Sequence, residues 1–340
     1  GIAVLRYDDR GVGESTGRFG EATTLDLAAD ALGAVTFLRN RTDIDPQRVF
    51  IVGHSEGGMI APMVARDQSE VAGVVLLAGP GIPIIDLMRL QYRLFSLAAG
   101  ATVPQADALA SMYHVIHEVL NAETDRITIY TRIQAHYDGL SDADRALLGW
   151  SRSQLNTVIE SRMTPWWRYF LTFDPVVYLS QIQVPILAVN GDADLNVTAA
   201  ENLAGIEQAT AMAGNEDVTC IEYPGLNHML NRTETAAGGD SIALGETVNL
   251  AVLQRITRWI QVRAGLDVTA VESTTTTRPA RLSLSPNYPN PFNGRTLIRF
   301  ELPEEASAKL VLFDLTGQRL RSLVEGRFTA GSHVAMWDGR

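Results

Sequence analysis

The stretch RVFIVGHSEGGM, residues 48–59, carries an apolar run directly into a serine set between glycines, and a helix-like sequence follows. A G-x-S-x-G pattern between a buried strand and a helix is typical of a sharp bend that holds the serine hydroxyl clear of the backbone. We therefore predict a positive φ at Ser55 and an exposed Oγ at the end of the strand. We predict that glycine is required at Gly53 and Gly57, because a Cβ at either position would clash where the strand and the helix pass closely.

Short apolar runs alternate with helical patterns over two parts of the chain. The runs IAVLRY (2–7), AGVVLLAG (72–79) and PILAVNG (185–191) are typical of strands buried on both faces, and residues 25–40 have the periodicity of an amphipathic helix. This order predicts an α/β fold with a parallel sheet covered by helices. Residues 86–180 break the order with helical periodicity alone, which predicts a cap over the ends of the strands. The alternative is an ordinary helical subdomain with no contact to a site.

Composition divides the chain further. The α/β core is predicted in two parts, 1–85 and 181–265, with the helical cap of 86–180 inserted between them. Residues 266–281 are rich in threonine and lack apolar periodicity, which predicts an extended linker. Residues 282–340 alternate with period two, which predicts a small all-β module.

Bulk composition excludes several classes of function. The net charge of −11 argues against a nucleic-acid-binding surface, which needs clustered Lys and Arg. No apolar run reaches the roughly 18–20 residues needed to cross a bilayer, so no transmembrane segment is predicted. Cys220 is the only cysteine, which excludes an internal disulfide.

A serine nucleophile needs a base, and the base needs an acid that orients it. Of the six histidines, His228 lies in PGLNHML, a segment directly after the predicted strand VTCIEY, where a loop reaches the carboxyl edge of the sheet. His54 is adjacent to the serine, so its side chain is predicted to point away from the hydroxyl. The strand PILAVNG runs into two candidate acids, Asp192 and Asp194, and the spacing alone does not choose between them.

The pair His114 and His117 stands three residues apart in HVIHE. Two such histidines on one helix can share a metal ion, but no third ligand pattern accompanies them. A half-buried helix face is the preferred interpretation, and no metal site is predicted.

Residues 1–265 resemble the α/β-hydrolase superfamily, and within it bacterial carboxylesterases whose serine motif reads GHSEGG. The matching segments are YDDRGVGESTG (7–17), GHSEGG (53–58), PWWRYFLTFDP (165–175), PILAVNGDADLNV (185–197) and GLNHML (225–230). The resemblance implies ester hydrolysis through an acyl-enzyme on Ser55, with His228 as base and no metal or organic cofactor. It also implies that the acid is Asp194, three residues after the strand-end glycine, rather than Asp192.

The predicted oxyanion site is made of backbone amides. The amide of Glu56 follows the nucleophile at a helix N-terminus, where its partial positive charge suits a developing oxyanion. In the resembled fold a second amide comes from a loop after a further central strand. This strand and its loop are expected upstream of Gly1, so a protein limited to residues 1–340 is expected to be poorly stable and nearly inactive. The turn Asp9-Arg10-Gly11 is expected to be structural.

Residues 282–340 resemble the C-terminal sorting domain of the type IX secretion system. The matching segments are SPNYPNPFNGRTLIRFELPE (285–304), VLFDLTGQRL (311–320) and GSHVAMWDG (331–339). The resemblance implies a β-sandwich-like module, incomplete at its final strands, with the secretion machinery as partner. Secretion or cell-surface attachment is therefore expected, with a signal peptide upstream of Gly1.

The predicted substrate is a small-molecule ester with a short or medium acyl chain, because the helical insertion is rich in Leu, Met, Trp and Tyr. One alternative is a peptidase of the prolyl-aminopeptidase kind, with the same fold and triad. That activity would need carboxylates in the cap, such as Glu118, Glu123 or Asp125, to bind a free amine. The other alternative is a surface-anchored binding protein without catalysis.

Overall fold

A computed structural model of the 340-residue chain describes residues 2–67, 71–232, 248–266, 282–284, 296–313 and 317–337. Their contacts form two compact units, one within residues 1–265 and the other within 266–340. The predicted linker, 266–281, lies outside the described residues except for Leu266.

Four parallel strands form the sheet of the first unit. They are β1 (Phe50–His54), β2 (Gly73–Leu77), β3 (Ile186–Gly191) and β4 (Val218–Tyr223), hydrogen-bonded in that order. Strand β2 is buried along its whole length because side chains on both of its faces are covered. Val74 and Leu76 join one apolar cluster, whereas Val75 and Leu77 join the other. This explains the unbroken apolar run in its sequence.

Helices cover both faces of the sheet. The helices are α1 (Thr24–Arg39), α2 (Glu56–Asp67), α3 (Ile84–Ala98), α4 (Val103–Ala122), α5 (Arg126–Gly139), α6 (Asp142–Leu148), α7 (Arg152–Ser161), α8 (Pro165–Phe170), α9 (Val176–Leu179), α10 (Ala199–Met212) and α11 (Leu250–Arg263). Helices α1, α2 and α10 belong to one apolar cluster, and α11 packs in the other through Val252, Ile256 and Trp259. The predicted α/β fold with a parallel sheet is confirmed.

The helical insertion spans residues 84–179, between β2 and β3. We call helices α3 to α9 the lid. They pack largely on one another, α3 on α4 and α4 on α5 and α6. The two ends of the lid lie close together, since the N–H of Ile84 donates to the carbonyl oxygen of Phe173 at 3.1 Å.

Residues 2–7 form no strand, so the strand predicted for IAVLRY is wrong. Val4 in this segment is 78% exposed. A strand is stabilised by hydrogen bonds and side-chain contacts from its neighbours, and no described strand pairs with this segment. Strand β1 is therefore an edge of the described sheet, and its Val52 is 49% exposed.

The loop that follows this segment is tied to α1 by one side chain. Nε and Nη2 of Arg10 donate to the two carboxylate oxygens of Asp30 at 2.7 and 2.8 Å, and Nη2 also donates to the carbonyl oxygen of Asp26 at 2.8 Å. A planar guanidinium matches a carboxylate in this two-bond geometry. The turn Asp9-Arg10-Gly11 thus has a structural contact with the core.

The second unit consists of antiparallel strands. They are β5 (Ser283–Leu284), β6 (Thr296–Leu302), β7 (Ala306–Phe313), β8 (Arg319–Phe328) and β9 (Gly331–Trp337). Strands β5, β6 and β9 form one sheet in that order, and β7 pairs with β8. The predicted all-β character is confirmed, whereas the motif SPNYPNPFNGR (285–295) lies entirely outside the described residues.

A buried histidine lies inside the lid. The side chain of His117 in α4 is fully buried, and neither ring nitrogen has a hydrogen-bond partner. Its ring lies 5.8 Å from that of Trp167 and 5.9 Å from that of Tyr113, measured between centroids. Burial, together with the nearby charges of Arg162 and His114, lowers the pKa of His117 to about 3. His117 is therefore neutral in the folded lid.

We expect the lid to lose stability as the pH falls from about 6.5 toward 3. The unfolded chain binds a proton at His117 in this window and the folded chain does not, so the free energy of unfolding falls by up to about 1.4 kcal/mol per pH unit. His117→Leu should flatten this dependence in urea titrations at pH 4.5, 5.5 and 6.5. His136→Leu, at an exposed position of α5, is the control. An unchanged slope in the His117 variant would contradict the expectation.

Candidate active site

The backbone bends sharply at Ser55, between β1 and α2. Its φ is 56°, in the left-handed region that non-glycine residues rarely adopt. The bend is held on both sides, because Ser55 N–H donates to Leu77 O at 2.9 Å and Gly58 N–H donates to Ser55 O at 2.8 Å. A Cβ on Gly53 would stand 1.9 Å from the carbonyl oxygen of Gly57. Glycine at 53 is thus required for the helix to start this close to the strand.

The prediction for Gly57 is wrong. A Cβ built at this position meets no atom within 4 Å. The close approach involves the backbone carbonyl of Gly57, which lies against Gly53, and its own α-carbon faces open space. A pattern of two glycines therefore reflects one steric requirement here.

Ser55 and His228 are brought together across the end of the sheet. The Oγ–H of Ser55 donates to Nε2 of His228, with 3.0 Å between the two atoms. The other ring nitrogen, Nδ1, lies 2.9 Å from Oδ2 of Asp194. The carboxylate can only accept, so Nδ1 carries the hydrogen and Nε2 keeps a lone pair for the serine. The three predicted residues form one hydrogen-bonded chain.

Asp194 is held rigidly after β3. Its side chain is fully buried, and Oδ1 accepts from the backbone N–H groups of Asn196 and Val197 at 2.8 and 2.9 Å. Two backbone donors on one oxygen leave the other oxygen for the imidazole. The tight turn of GDADLNV therefore satisfies a buried carboxylate on both sides.

Asp192 has a different position. It is exposed, and its Oδ1 accepts from the backbone N–H of Gly225 at 2.6 Å. It supports the turn that precedes the histidine loop and makes no hydrogen bond to His228. Of the two acids that the sequence left open, only Asp194 contacts the imidazole.

The loop that carries His228 is fixed from two directions. Gly191, at the end of β3, allows the loop to pass closely, since a Cβ there would lie 2.0 Å from the carbonyl oxygen of Leu226. Nε2–H of His54 donates to the carbonyl oxygen of His228 at 2.7 Å, with the two ring centroids 4.8 Å apart. The ring of His54 lies beside that of His228 and does not bond the Ser55 hydroxyl. Sequence reasoning placed His54 away from the hydroxyl but missed this contact.

A cavity of about 180 Å³ opens at Ser55. Its walls come from the bend at Ser55, the loop that carries Asp194 (the acid loop) and the lid, and most of the lining residues are apolar. The lining residues are Ser55, Glu56, Met59, Pro80, Leu87, Met88, Gln91, Trp166, Phe170, Asn196, Val197 and His228. The cap carboxylates Glu118, Glu123 and Asp125 do not line it, and Asp125 instead caps the start of α5.

Hydrogen bonds from two lid side chains join the lid to the core around this cavity. Nε1–H of Trp166 in α8 donates to Oε1 of Glu56 at 2.9 Å, and Nε2–H of Gln91 in α3 donates to Oδ1 of Asn196 at 3.0 Å. Sequence reasoning singled out neither contact. The aromatic cluster PWWRYF was the only signal for the first of them.

The backbone amide of Glu56 opens α2. The first N–H groups of a helix have no acceptor inside the helix, so this amide is available beside the Ser55 hydroxyl. The second oxyanion donor was predicted upstream of Gly1 and stays a prediction.

Among the described residues, no group of three or more His, Cys, Asp or Glu side chains is placed to hold a metal ion. No helix in the described part of the chain is both long and apolar enough to cross a membrane.

The covered parallel sheet, the strained serine after β1 and the His–Asp pair on later loops define an α/β-hydrolase fold with a serine–histidine–aspartate arrangement. Residues 1–138 match the Hydrolase_4 family model, described as "Serine aminopeptidase, S33". The chain is also similar to esterase EstD of Thermotoga maritima, with 25% identity over 267 residues, 76% of this chain and 53% of EstD. It thus spans about half the length of that relative. The uncharacterized protein YfhR of Escherichia coli K12 is 36% identical over 75 residues, 22% of this chain and 25% of YfhR.

Two solved structures to which the chain is similar have low sequence identity and low TM-scores. The α/β-hydrolase GrgF from Penicillium sp. sh18 is 15% identical with a TM-score of 0.41, covering 76% of this chain and 79% of GrgF. A monoacylglycerol lipase from Paleococcus ferrophilus is 15% identical with a TM-score of 0.38, covering 74% of this chain and 80% of the lipase.

Proposed function

We propose that this protein is a serine hydrolase that cleaves carboxylic esters through an acyl-enzyme on Ser55. The observation that carries the proposal is the continuous hydrogen-bonded chain from Ser55 Oγ through His228 to the buried Asp194. Such a chain has the geometry in which a hydroxyl becomes a nucleophile at neutral pH. The similarity to an esterase over three quarters of the chain supports the same chemistry.

The reaction proceeds in two half-steps. His228 Nε2 takes the proton of Ser55 as Oγ bonds to the ester carbonyl carbon, and the Glu56 amide binds the developing oxyanion. The protonated imidazole, stabilised by Asp194, gives its proton to the leaving alkoxide as the C–O bond breaks. Water then attacks the acyl-enzyme with His228 again as base, which releases the acid and restores the serine.

The size of the cavity favours short acyl chains. A volume of about 180 Å³ lies below the range of about 300–1,000 Å³ usual for ligand pockets. Its apolar walls suit an alkyl chain. We therefore narrow the substrate to small esters with a short acyl chain.

The test uses the full-length protein. We expect hydrolysis of p-nitrophenyl butyrate and covalent labelling of Ser55 by a fluorophosphonate. An aminoacyl-proline amide serves as the comparison substrate, because the family model that matches residues 1–138 is described as an aminopeptidase. Faster cleavage of the amide would favour the peptidase, and absence of both turnover and labelling would favour a non-catalytic binding protein.

His54 is expected to support this reaction by holding the loop of His228. His54→Leu removes the donor to the carbonyl oxygen of His228, and a misplacement of about 1 Å can cost about 10²-fold in rate. We expect kcat to fall by about that factor with little change in KM. His54→Gln, whose amide can still donate, should recover part of the rate in the same assay. Equal losses in both variants would contradict this role.

The second unit is proposed to direct export. The resemblance of residues 282–340 to a type IX sorting domain and their separate antiparallel strands support this assignment. In a bacterium that has a type IX system, the full-length protein should reach the cell surface or medium. The same protein ending at residue 265 should stay in the periplasm. Identical distribution of the two forms would exclude the sorting role.

A further inference from the structure

We infer that Glu56 and Trp166 act as one specificity-determining unit that closes the acyl cavity. This inference rests on the proposed ester hydrolysis and extends it to the choice of acyl length. Trp166 belongs to the lid, whereas Glu56 directly follows the nucleophile in α2. The two residues are 110 positions apart in sequence, and both line the cavity at Ser55.

The contact between them is a specific hydrogen bond. Nε1–H of Trp166 donates to Oε1 of Glu56 at 2.9 Å, and the hydroxyl of Thr24 in α1 donates to the same oxygen at 2.6 Å. Thr24 is fully buried, so the carboxylate is anchored to the core from behind. No Arg, Lys or His nitrogen of the described residues lies within 4 Å of this carboxylate, so two neutral donors hold it in place. The indole N–H is thus held against the carboxylate of the residue that follows Ser55.

The ring of Trp166 supplies the wall itself. It stacks on Phe170, with the ring centroids 4.5 Å apart and 16° between the planes, and Phe170 lines the same cavity. The stack on Phe170 and the hydrogen bond to Glu56 together fix the orientation of the indole, and the stacked pair forms part of the cavity wall. Gln91, bonded to Asn196, secures the lid on the acid-loop side.

The expected consequence is a change of acyl-length preference. We define the length ratio as kcat/KM for p-nitrophenyl octanoate divided by kcat/KM for the butyrate. Trp166→Ala removes the wall and should raise this ratio at least tenfold. Trp166→Phe keeps the stacking but loses the donor, and Glu56→Ala keeps the ring but loses the acceptor. Both should raise the ratio, by about threefold or more.

The two residues should behave as a pair. In the double variant Glu56→Ala/Trp166→Phe, the ratio should be no higher than in the larger single change, because both substitutions break the same bond. Glu56→Gln retains an acceptor oxygen and should keep the ratio close to that of the unchanged protein. This conservative variant also tests the role should Glu56→Ala fail to fold.

Trp150→Phe is the matched control. Trp150 lies between α6 and α7, packs edge-on against Tyr113 with the ring centroids 5.2 Å apart and does not line the cavity, so its variant should leave the ratio unchanged. Fluorophosphonate labelling of Ser55 reports the nucleophile without regard to acyl length. Labelled Trp166→Ala protein with an unchanged ratio, or additive effects in the double variant, would overturn this inference alone. If the protein without any substitution is neither labelled nor active, the proposed function is overturned and this inference with it.

Discussion

Replacing Ser55 with alanine should lower ester hydrolysis by about 10⁴-fold or more, which is the range seen when a triad nucleophile is removed. The Ser55 Oγ is the atom that lies 3.0 Å from His228 Nε2, and within the described part of the chain no other hydroxyl lines the cavity. The variant keeps Cβ and needs no new backbone conformation, so the bend and the fold should persist. Stopped assays with p-nitrophenyl butyrate and fluorophosphonate labelling measure the loss.

The matched control is Ser153→Ala, at an exposed serine of α7 in the lid. It should retain full turnover and full labelling. Residual activity above about a tenth of the unchanged rate in the Ser55 variant, with correct folding by circular dichroism, would mean that another group forms the acyl-enzyme. The proposed mechanism would then be wrong.

Asp194→Asn should lower kcat by about 10³- to 10⁴-fold, because an amide in this place favours the wrong imidazole tautomer. The backbone N–H groups of Asn196 and Val197 occupy Oδ1, so the NH₂ of the new side chain would face Nδ1 of His228. The hydrogen would then move to Nε2, where it removes the lone pair that accepts the serine proton. Substrate binding should change little, so the loss should lie in kcat.

Asp192→Asn is the matched change on the same loop. Asn can still accept from the backbone N–H of Gly225, so we expect less than a threefold loss of kcat. The ratio between the two variants is the sharpest measure of which acid supports His228. A larger loss in the Asp192 variant would reverse the assignment.

The buried strands and the serine bend were predictable because each follows from local chemistry. A strand covered on both faces needs an unbroken apolar run, and AGVVLLAG has one. The bend needs Gly53 because the backbone of the helix occupies the place of its Cβ. The residues that impose each constraint lie within about ten positions of one another, so the constraint can be recognised from the sequence alone.

Other features depend on partners far away in the chain. The segment 2–7 is as apolar as a buried strand, but whether it forms one depends on a neighbour that its own residues do not specify. The choice between Asp192 and Asp194 depends on where the loop of His228 lies, 34 residues beyond the acid that bonds it. The bond from Trp166 to Glu56 depends on how the whole lid packs. Spacing rules cannot report such contacts.

The close ends of the lid have a consequence for how such a protein changes over time. The chain leaves the core at Ile84 and returns near Phe173, beside its point of departure, whereas the hydroxyl, imidazole and carboxylate all come from outside that excursion. A different helical segment whose two ends lie equally close could be inserted there without moving Ser55, His228 or Asp194. The part of the cavity wall that Trp166 and Phe170 supply can thus vary in such a protein while Ser55, His228 and Asp194 stay in place.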